Sequence, residues 1–314
     1  MIAYVNGEYL PHEDAKISVD DRGIIFGDSV FDIGRTFGGI PFKLEPHLER
    51  LRRSMRYAEL DGDGLLPSIR EATHQLFERN EEAIEAAGDV YFDQIVTRGL
   101  ISSPGDDANA TTPTVIVKLR PVPFASFARF YATGVDLHSS LLAGSFAGPM
   151  DPRVKAANRL ANTRPELKGE RMSERGKGHW TVILNPDGSI SETHSANLAI
   201  VSEGRLVVPP RHQALGGISL ATMRELAGEL GIPVDERPVT TYDIINADET
   251  FITATSFSIL PVVGLDGIPL RDGREAYSRL QQAWKDLVGI DFVAQALERA
   301  GAPRAEGQAA TVGA

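Results

Sequence analysis

Short apolar blocks separated by turn residues dominate the first forty positions. Residues 3–5 and 8–10 flank Asn6-Gly7, which predicts a tight β-hairpin. Residues 30–37 and 41–44 flank Gly38-Gly39 and predict a second hairpin. The period then changes. From Pro46 to about residue 60, Leu48, Leu51, Met55 and Ala58 recur on one side, which predicts a helix that ends at Asp61-Gly62-Asp63-Gly64. A further helix is expected over 67–87, with Gly88 closing it. Strands over 90–97 and 114–119 follow, joined by a polar loop over 101–112. Helices beside an antiparallel sheet make an α+β domain over 1–120.

Pro121-Val122-Pro123 stiffens the chain after a strand and marks an interdomain linker, read as 121–135. The larger second domain, 136–300, is strand-rich. Strands are expected over 180–184, 197–201, 206–208 and 248–255, with turns at 185–188 and 202–204. A helix over 219–230 is stopped by Gly231 and Pro233. Residues 301–314 are Ala, Gly and polar residues and read as a disordered tail. No internal repeat is visible.

The chain has 314 residues, of which 42% are hydrophobic and 24% charged, so a sizeable core is expected. It contains no cysteine, which removes disulfides, thiolate metal sites and cysteine nucleophiles. No metal ligand set is read from the sequence. A net charge of -11 argues against a broad nucleic-acid face or a polybasic membrane anchor. No apolar run approaches the ~20 residues of a membrane span. The start lacks a basic region and a long apolar stretch, so a cytoplasmic location is expected.

Several segments carry possible chemistry. Gly216-Gly217-Ile218-Ser219 precedes the 219–230 helix, where free N–H groups and a hydroxyl suit a phosphate; an ordinary glycine turn with a Ser N-cap is the plainer reading. Lysine occurs only at Lys16, Lys43, Lys118, Lys155, Lys168, Lys177 and Lys285. Lys155 lies among small residues beside Arg153, where desolvation or a second cation would lower its pKa; an ordinary surface lysine is the alternative. Ser191-Glu192-Thr193-His194 is a polar run before a strand, and its carboxylate either faces solvent or a ring nitrogen. Thr253-Ala254-Thr255-Ser256 ends a strand with hydroxyls that suit an anion. Arg50 falls off the apolar stripe of its helix, so it reads as surface or as a phosphate contact.

These segments, with Asp21-Arg22-Gly23-Ile24-Ile25-Phe26-Gly27-Asp28-Ser29-Val30-Phe31-Asp32 and Phe42-Lys43-Leu44-Glu45-Pro46-His47-Leu48-Glu49-Arg50-Leu51, resemble the class IV, or fold type IV, pyridoxal-phosphate aminotransferases. That family includes branched-chain aminotransferases, D-amino-acid aminotransferases, (R)-amine transaminases and aminodeoxychorismate lyases. The motifs fall in family order over about residues 1–290. The resemblance implies a two-domain α+β fold with the cofactor site between the domains. It implies pyridoxal 5′-phosphate as cofactor, bound as a Schiff base to Lys155, with Glu192 at the pyridine nitrogen. Arg50, Ile218, Ser219 and Thr255 would hold the phosphate, and Leu215 would pack on the ring. Phe31, Arg35, Arg98, Thr255 and Ser256 would line the substrate side. The implied reaction moves an amino group between an amino acid or chiral amine and a 2-oxo acid, in a homodimer; a lyase reaction and a non-enzymatic phosphate-binding protein are the alternatives.

Departures from the family pattern are local. The residues after the lysine are Asn158, Arg159 and Leu160 rather than a tyrosine, Gly216 replaces a proline, Ser219 replaces a threonine, and His194 replaces a small residue. His194 reads as structural. Arg35 and Arg98 each read either as a clamp for a second carboxylate or as an ion pair. Phe26, Phe31 and Phe37 suit an apolar side-chain pocket or a hairpin core.

Overall fold

The computed structural model describes residues 1–100, 112–140, 150–160 and 179–301, with 163, 166 and 167. The expected loop over 101–111 and the expected tail over 302–314 lie outside the described residues. Two compact units emerge: Met1–Val122 with Pro149–Ala161, and Pro123–Gly148 with Asn162–Ala314. Their border falls at the predicted proline connector. The segment carrying Lys155, assigned above to the second domain, clusters with the first unit instead.

In the first unit β1 (Ile2–Val5) and β2 (Glu8–Pro11) form the expected hairpin, with Val5 opposite Glu8. Asn6 and Gly7 take φ of +49° and +99°, as a two-residue turn of this kind requires. A short helix α1 (Arg22–Ile25) leads to the second hairpin, β3 (Ser29–Phe37) and β4 (Ile40–Pro41). Helices α2 (Leu44–Tyr57), α3 (Gly62–Arg79) and α4 (Glu81–Ala87) precede β5 (Val90–Thr97) and β6 (Thr114–Pro121). The strands run antiparallel in the order β2-β1-β6-β5-β3-β4.

Two boundaries differ from the sequence expectation. The 61–64 run starts α3 rather than separating helices, because Asp61 accepts from the Gly64 N–H and caps the new helix. The expected 67–87 helix breaks at Asn80, whose side chain instead accepts from Ile2 N–H and donates to Ile2 O, at 2.6 and 3.1 Å.

Helix α2 positions much of the unit's chemistry, and its sequence explains why. Leu44, Leu48, Leu51 and Met55 form one buried stripe that packs with Ile69 and Leu76 of α3 and with Phe92 and Val96 of β5. Burying each such side chain contributes about 2 kcal/mol. His47, Arg50 and Ser54 form a second stripe, polar yet also buried, at spacings of three and four residues.

The second unit contains α5 (Phe130–Thr133), β7 (Val135–Ser140), β8 (His179–Leu184), β9 (Ile190–Thr193), β10 (Asn197–Ser202), β11 (Arg205–Val208), α6 (Ile218–Glu229), β12 (Val234–Glu236), α7 (Thr241–Asn246), β13 (Glu249–Ala254), β14 (Ser258–Leu265), β15 (Ile268–Pro269), α8 (Glu275–Val288) and α9 (Phe292–Gly301). Its sheet runs β12-β11-β10-β13-β14-β7-β8-β9, with β15 on β14. The pairs β11–β12, β14–β7 and β7–β8 are parallel and the others antiparallel. Strand β9 was not expected, because Ser191, Glu192 and Thr193 carry no apolar signal. It forms because Ser191 and Thr193 are buried and Thr193 bonds the Ala196 main chain in both directions. Among the described residues no helix is long and apolar enough to cross a membrane.

Candidate active site

In the first unit the lysine segment pairs with the start of β3. Phe31 N–H donates to Lys155 O at 3.0 Å, Ala157 N–H donates to Ser29 O at 3.0 Å, and Val30 pairs with Ala156. Lys155 N–H donates to the Ser54 hydroxyl on α2 at 3.1 Å. The Lys155 amine lies 4.6 Å from the centroid of the Phe31 ring, a favourable position for a cation. Lys155 is therefore half-buried on a fixed backbone rather than a solvated surface lysine.

Arg50 is buried, contrary to the reading that its place off the apolar stripe puts it on the surface. The cause is Asp32, the residue after Phe31 on β3. Its carboxylate takes Arg50 Nε and Nη2 at 2.7 and 2.8 Å and His47 Nδ1 at 2.6 Å. A two-point grip of this kind fixes the plane of the guanidinium. Burial pushes the Asp32 carboxyl up, but the charges and hydrogen bonds of Arg50 and His47 outweigh it and hold the group well below the usual carboxylate range. Burial holds the His47 pKa below its ordinary value despite the pull of Asp32, and the Arg50 and Lys155 charges add to the lowering.

In the second unit Glu192 leaves β9 half-buried. Its Oε2 accepts from Asn197 Nδ2 at 3.0 Å and from Leu215 N–H at 3.1 Å. Asn197 also donates to Leu215 O at 3.0 Å, so one side chain ties the carboxylate to the turn before α6. Gly217 is required there: a Cβ on it would lie 1.9 Å from Asn197 Oδ1. Helix α6 starts without a side-chain cap. Ser219 is only 7% exposed. The plainer expectation of Ser219 as an N-cap is therefore not met; Gly217 occupies the cap position and Ser219 lies inside the first turn. Thr255 and Ser256 sit half-buried in the turn between β13 and β14. That turn is braced by the Tyr131 hydroxyl, which donates to Phe257 O at 2.9 Å, and by the Thr253 hydroxyl, which donates to Ser258 O.

Other sequence candidates have internal work. Arg35 is 2% exposed; its guanidinium meets Asp89 at 3.3 Å in a buried ion pair and lies over the Phe37 ring, which favours the ion-pair alternative. Arg98 pairs with Asp28 at 2.8 Å and donates to Ala58 O at 2.6 Å, closing the C-terminal end of α2. Phe37 is core, Phe26 is 55% exposed, and Phe31 alone of the three lies under the lysine amine. His194 Nδ1 accepts from Thr181 N–H at 3.2 Å, and its Nε2 lies 3.6 Å from Glu166, which is a strand-holding role. Arg153 pairs with Asp151.

Each unit holds groups whose chemistry fits part of a phosphorylated pyridine aldehyde. In the first unit a fixed guanidinium suits a phosphate; in the second, taken by itself, an uncapped helix start suits a phosphate and an anchored carboxylate suits a protonated ring nitrogen. Among the described residues no group of three or more His, Asp or Glu side chains is placed to hold a metal. Sequence reasoning missed Asp32, His47, Ser54 and Asn197. The spacing of His47 and Ser54 from Arg50 on one helix face was a usable signal for two of them.

The class IV amino-transferase family matches residues 29–265. A protein of Methanocaldococcus jannaschii named "Putative branched-chain-amino-acid aminotransferase" is 30% identical over 91% of this chain and 96% of its own. The D-alanine aminotransferase of Bacillus licheniformis is 26% identical over 85% of this chain and 89% of its own. The branched-chain amino acid aminotransferase from Escherichia coli superposes with a TM-score of 0.79 at 26% identity, covering 91% of this chain and 94% of that one. With the family matched over most of its length and the fold shared, this chain belongs to the class IV aminotransferases and is a transaminase.

Proposed function

We propose that this transaminase uses pyridoxal 5′-phosphate on Lys155 and takes its amino group from amino acids with apolar side chains, of the branched-chain type. When bound, that cofactor supplies an aldehyde that accepts the amine and a ring that draws electrons from the substrate α-carbon. Lys155 would hold the cofactor through Nζ, and its amine would carry a proton away from the substrate α-carbon. Its backbone, fixed by β3 and Ser54, aims that amine. Arg50, oriented by Asp32, holds the phosphate together with the N–H groups of Ile218 and Ser219 and the hydroxyls of Ser219 and Thr255. Glu192, anchored by Asn197 and Leu215, keeps a proton on the ring nitrogen. Leu215 packs on the ring, and Phe31, Thr255 and Ser256 line the substrate side.

The observation that carries this reading is the pairing of Lys155 with β3 beside the Asp32–Arg50 grip. The donor class rests on a second one: Arg35 and Arg98 are both committed to internal partners, so neither is assigned to a substrate carboxylate. The named relatives support branched-chain chemistry. Ile24, Ile25 and Phe26 are 60%, 49% and 55% exposed, an apolar surface that supports a homodimer. A donor screen with 2-oxoglutarate and both enantiomers of leucine, valine, alanine and 1-phenylethylamine tests the proposal. Turnover with L-leucine and L-valine is expected; turnover confined to D-alanine or (R)-1-phenylethylamine overturns the donor assignment.

A further inference from the structure

Of the hydrogen bonds that hold the main chain around Lys155, those to Ser29 and Phe31 are backbone to backbone. The bond from Lys155 N–H is different, because it ends on a side chain, the Ser54 hydroxyl at 3.1 Å. Ser54 is 2% exposed, and it stands one helical turn after Arg50 on the same buried stripe of α2. A rigid helix therefore carries both the guanidinium assigned to the phosphate and the hydroxyl that sets where the lysine backbone sits. The rise along α2 between positions 50 and 54 is about 6 Å, a fixed offset that neither loop motion nor rotamer change can alter.

We infer that Ser54 is a positioning residue: it fixes the reach of the Lys155 amine relative to the Arg50 guanidinium. This rests on the cofactor reading above. The hydroxyl does not touch the reacting atoms. Without it a half-buried main-chain N–H loses its acceptor, and the lysine backbone moves away from α2 to find another. Arg50 keeps its contacts with Asp32 and His47, since none involves Ser54. The two functions of the helix should separate. Phosphate binding survives loss of the hydroxyl, while attachment of an aldehyde to Lys155 weakens.

The test compares the full-length apoprotein as parent, Ser54→Ala and Ser54→Thr, using inorganic phosphate, pyridoxal and pyridoxal 5′-phosphate as probes. Phosphate affinity is read by calorimetry. Attachment, in which the lysine amine condenses with the aldehyde and water leaves, is read by borohydride trapping and peptide mass analysis. Thermal unfolding is recorded alongside. Ser54→Ala is expected to bind phosphate within about twofold of the parent and to attach both aldehydes about tenfold more weakly, with Ser54→Thr restoring attachment. Equal attachment in Ser54→Ala and parent overturns the inference while leaving the cofactor reading intact. Parallel loss of phosphate binding, attachment and folding in Ser54→Ala also overturns it, by assigning Ser54 a purely structural role. Absence of any adduct on Lys155 in the parent overturns the cofactor reading itself.

Discussion

On the cofactor reading proposed above, the two units would each meet an anion in a different way. The first uses full charges: Arg50 is buried, and Asp32 and His47 are buried with it to keep it paired. The second uses the main chain: a glycine that admits no Cβ, an asparagine that ties a carboxylate to a turn, and a helix start without a side-chain cap. Charges out of water are costly unless each has a partner. The first arrangement should therefore be fragile to substitution and to acid. Backbone donors carry no net charge and are positioned by sheet and helix geometry, so the second should lose affinity when disturbed without losing the fold.

The largest effect expected lies outside that contrast and calibrates it. Lys155→Ala should reduce turnover by about four orders of magnitude or more, measured with L-leucine as donor, with the melting temperature near that of the parent. Next, Asp32→Asn should destabilise the protein by about 3 kcal/mol in urea unfolding, because it leaves Arg50 buried without its carboxylate. A change below 1 kcal/mol would mean that the triad is not a stability element.

The same cluster sets a pH dependence. Asp32 has a folded pKa below its unfolded value, so its contribution is present above the unfolded value of about 3.9 and is lost as pH falls through that region. His47 is likewise lowered, so protonation favours the unfolded chain and stability falls as pH drops below about 6.5. Urea midpoints from pH 8 to 4 should decline, and His47→Gln should flatten the upper part of that decline.

In the second unit Gly217→Ala should weaken binding of pyridoxal 5′-phosphate about tenfold by displacing Asn197, and so Glu192, with little loss of stability. The reverse pattern, intact affinity and a destabilised fold, would remove the contrast between the units. Smallest, Arg98→Ala should cost about 1 kcal/mol through the lost helix-end contact and leave donor preference unchanged. A changed preference between L-leucine and D-alanine would return Arg98 to the substrate side.

Much of this was legible in the chain. Asn6-Gly7 gave the first hairpin its register, the apolar stripe of α2 was readable at once, and Gly217, two positions before Ser219, marked a helix start. What stayed hidden shares one physical cause: polar residues that are buried because of partners far away in sequence. Arg50 looked like surface because Asp32, eighteen positions earlier, is invisible to helical periodicity. Strand β9 lacked an apolar signal because hydroxyls satisfy its main chain. The helix break at Asn80 depends on Ile2, seventy-eight positions away.

The central claim is that Lys155, and none of the other lysines, carries the cofactor. Borohydride reduction of the protein loaded with pyridoxal 5′-phosphate, followed by proteolysis and peptide mass analysis, tests it directly. The account predicts a reduced phosphopyridoxyl group on the peptide containing Lys155, absent in Lys155→Ala. The same group on another lysine of the parent, with Lys155 unmodified, would contradict it.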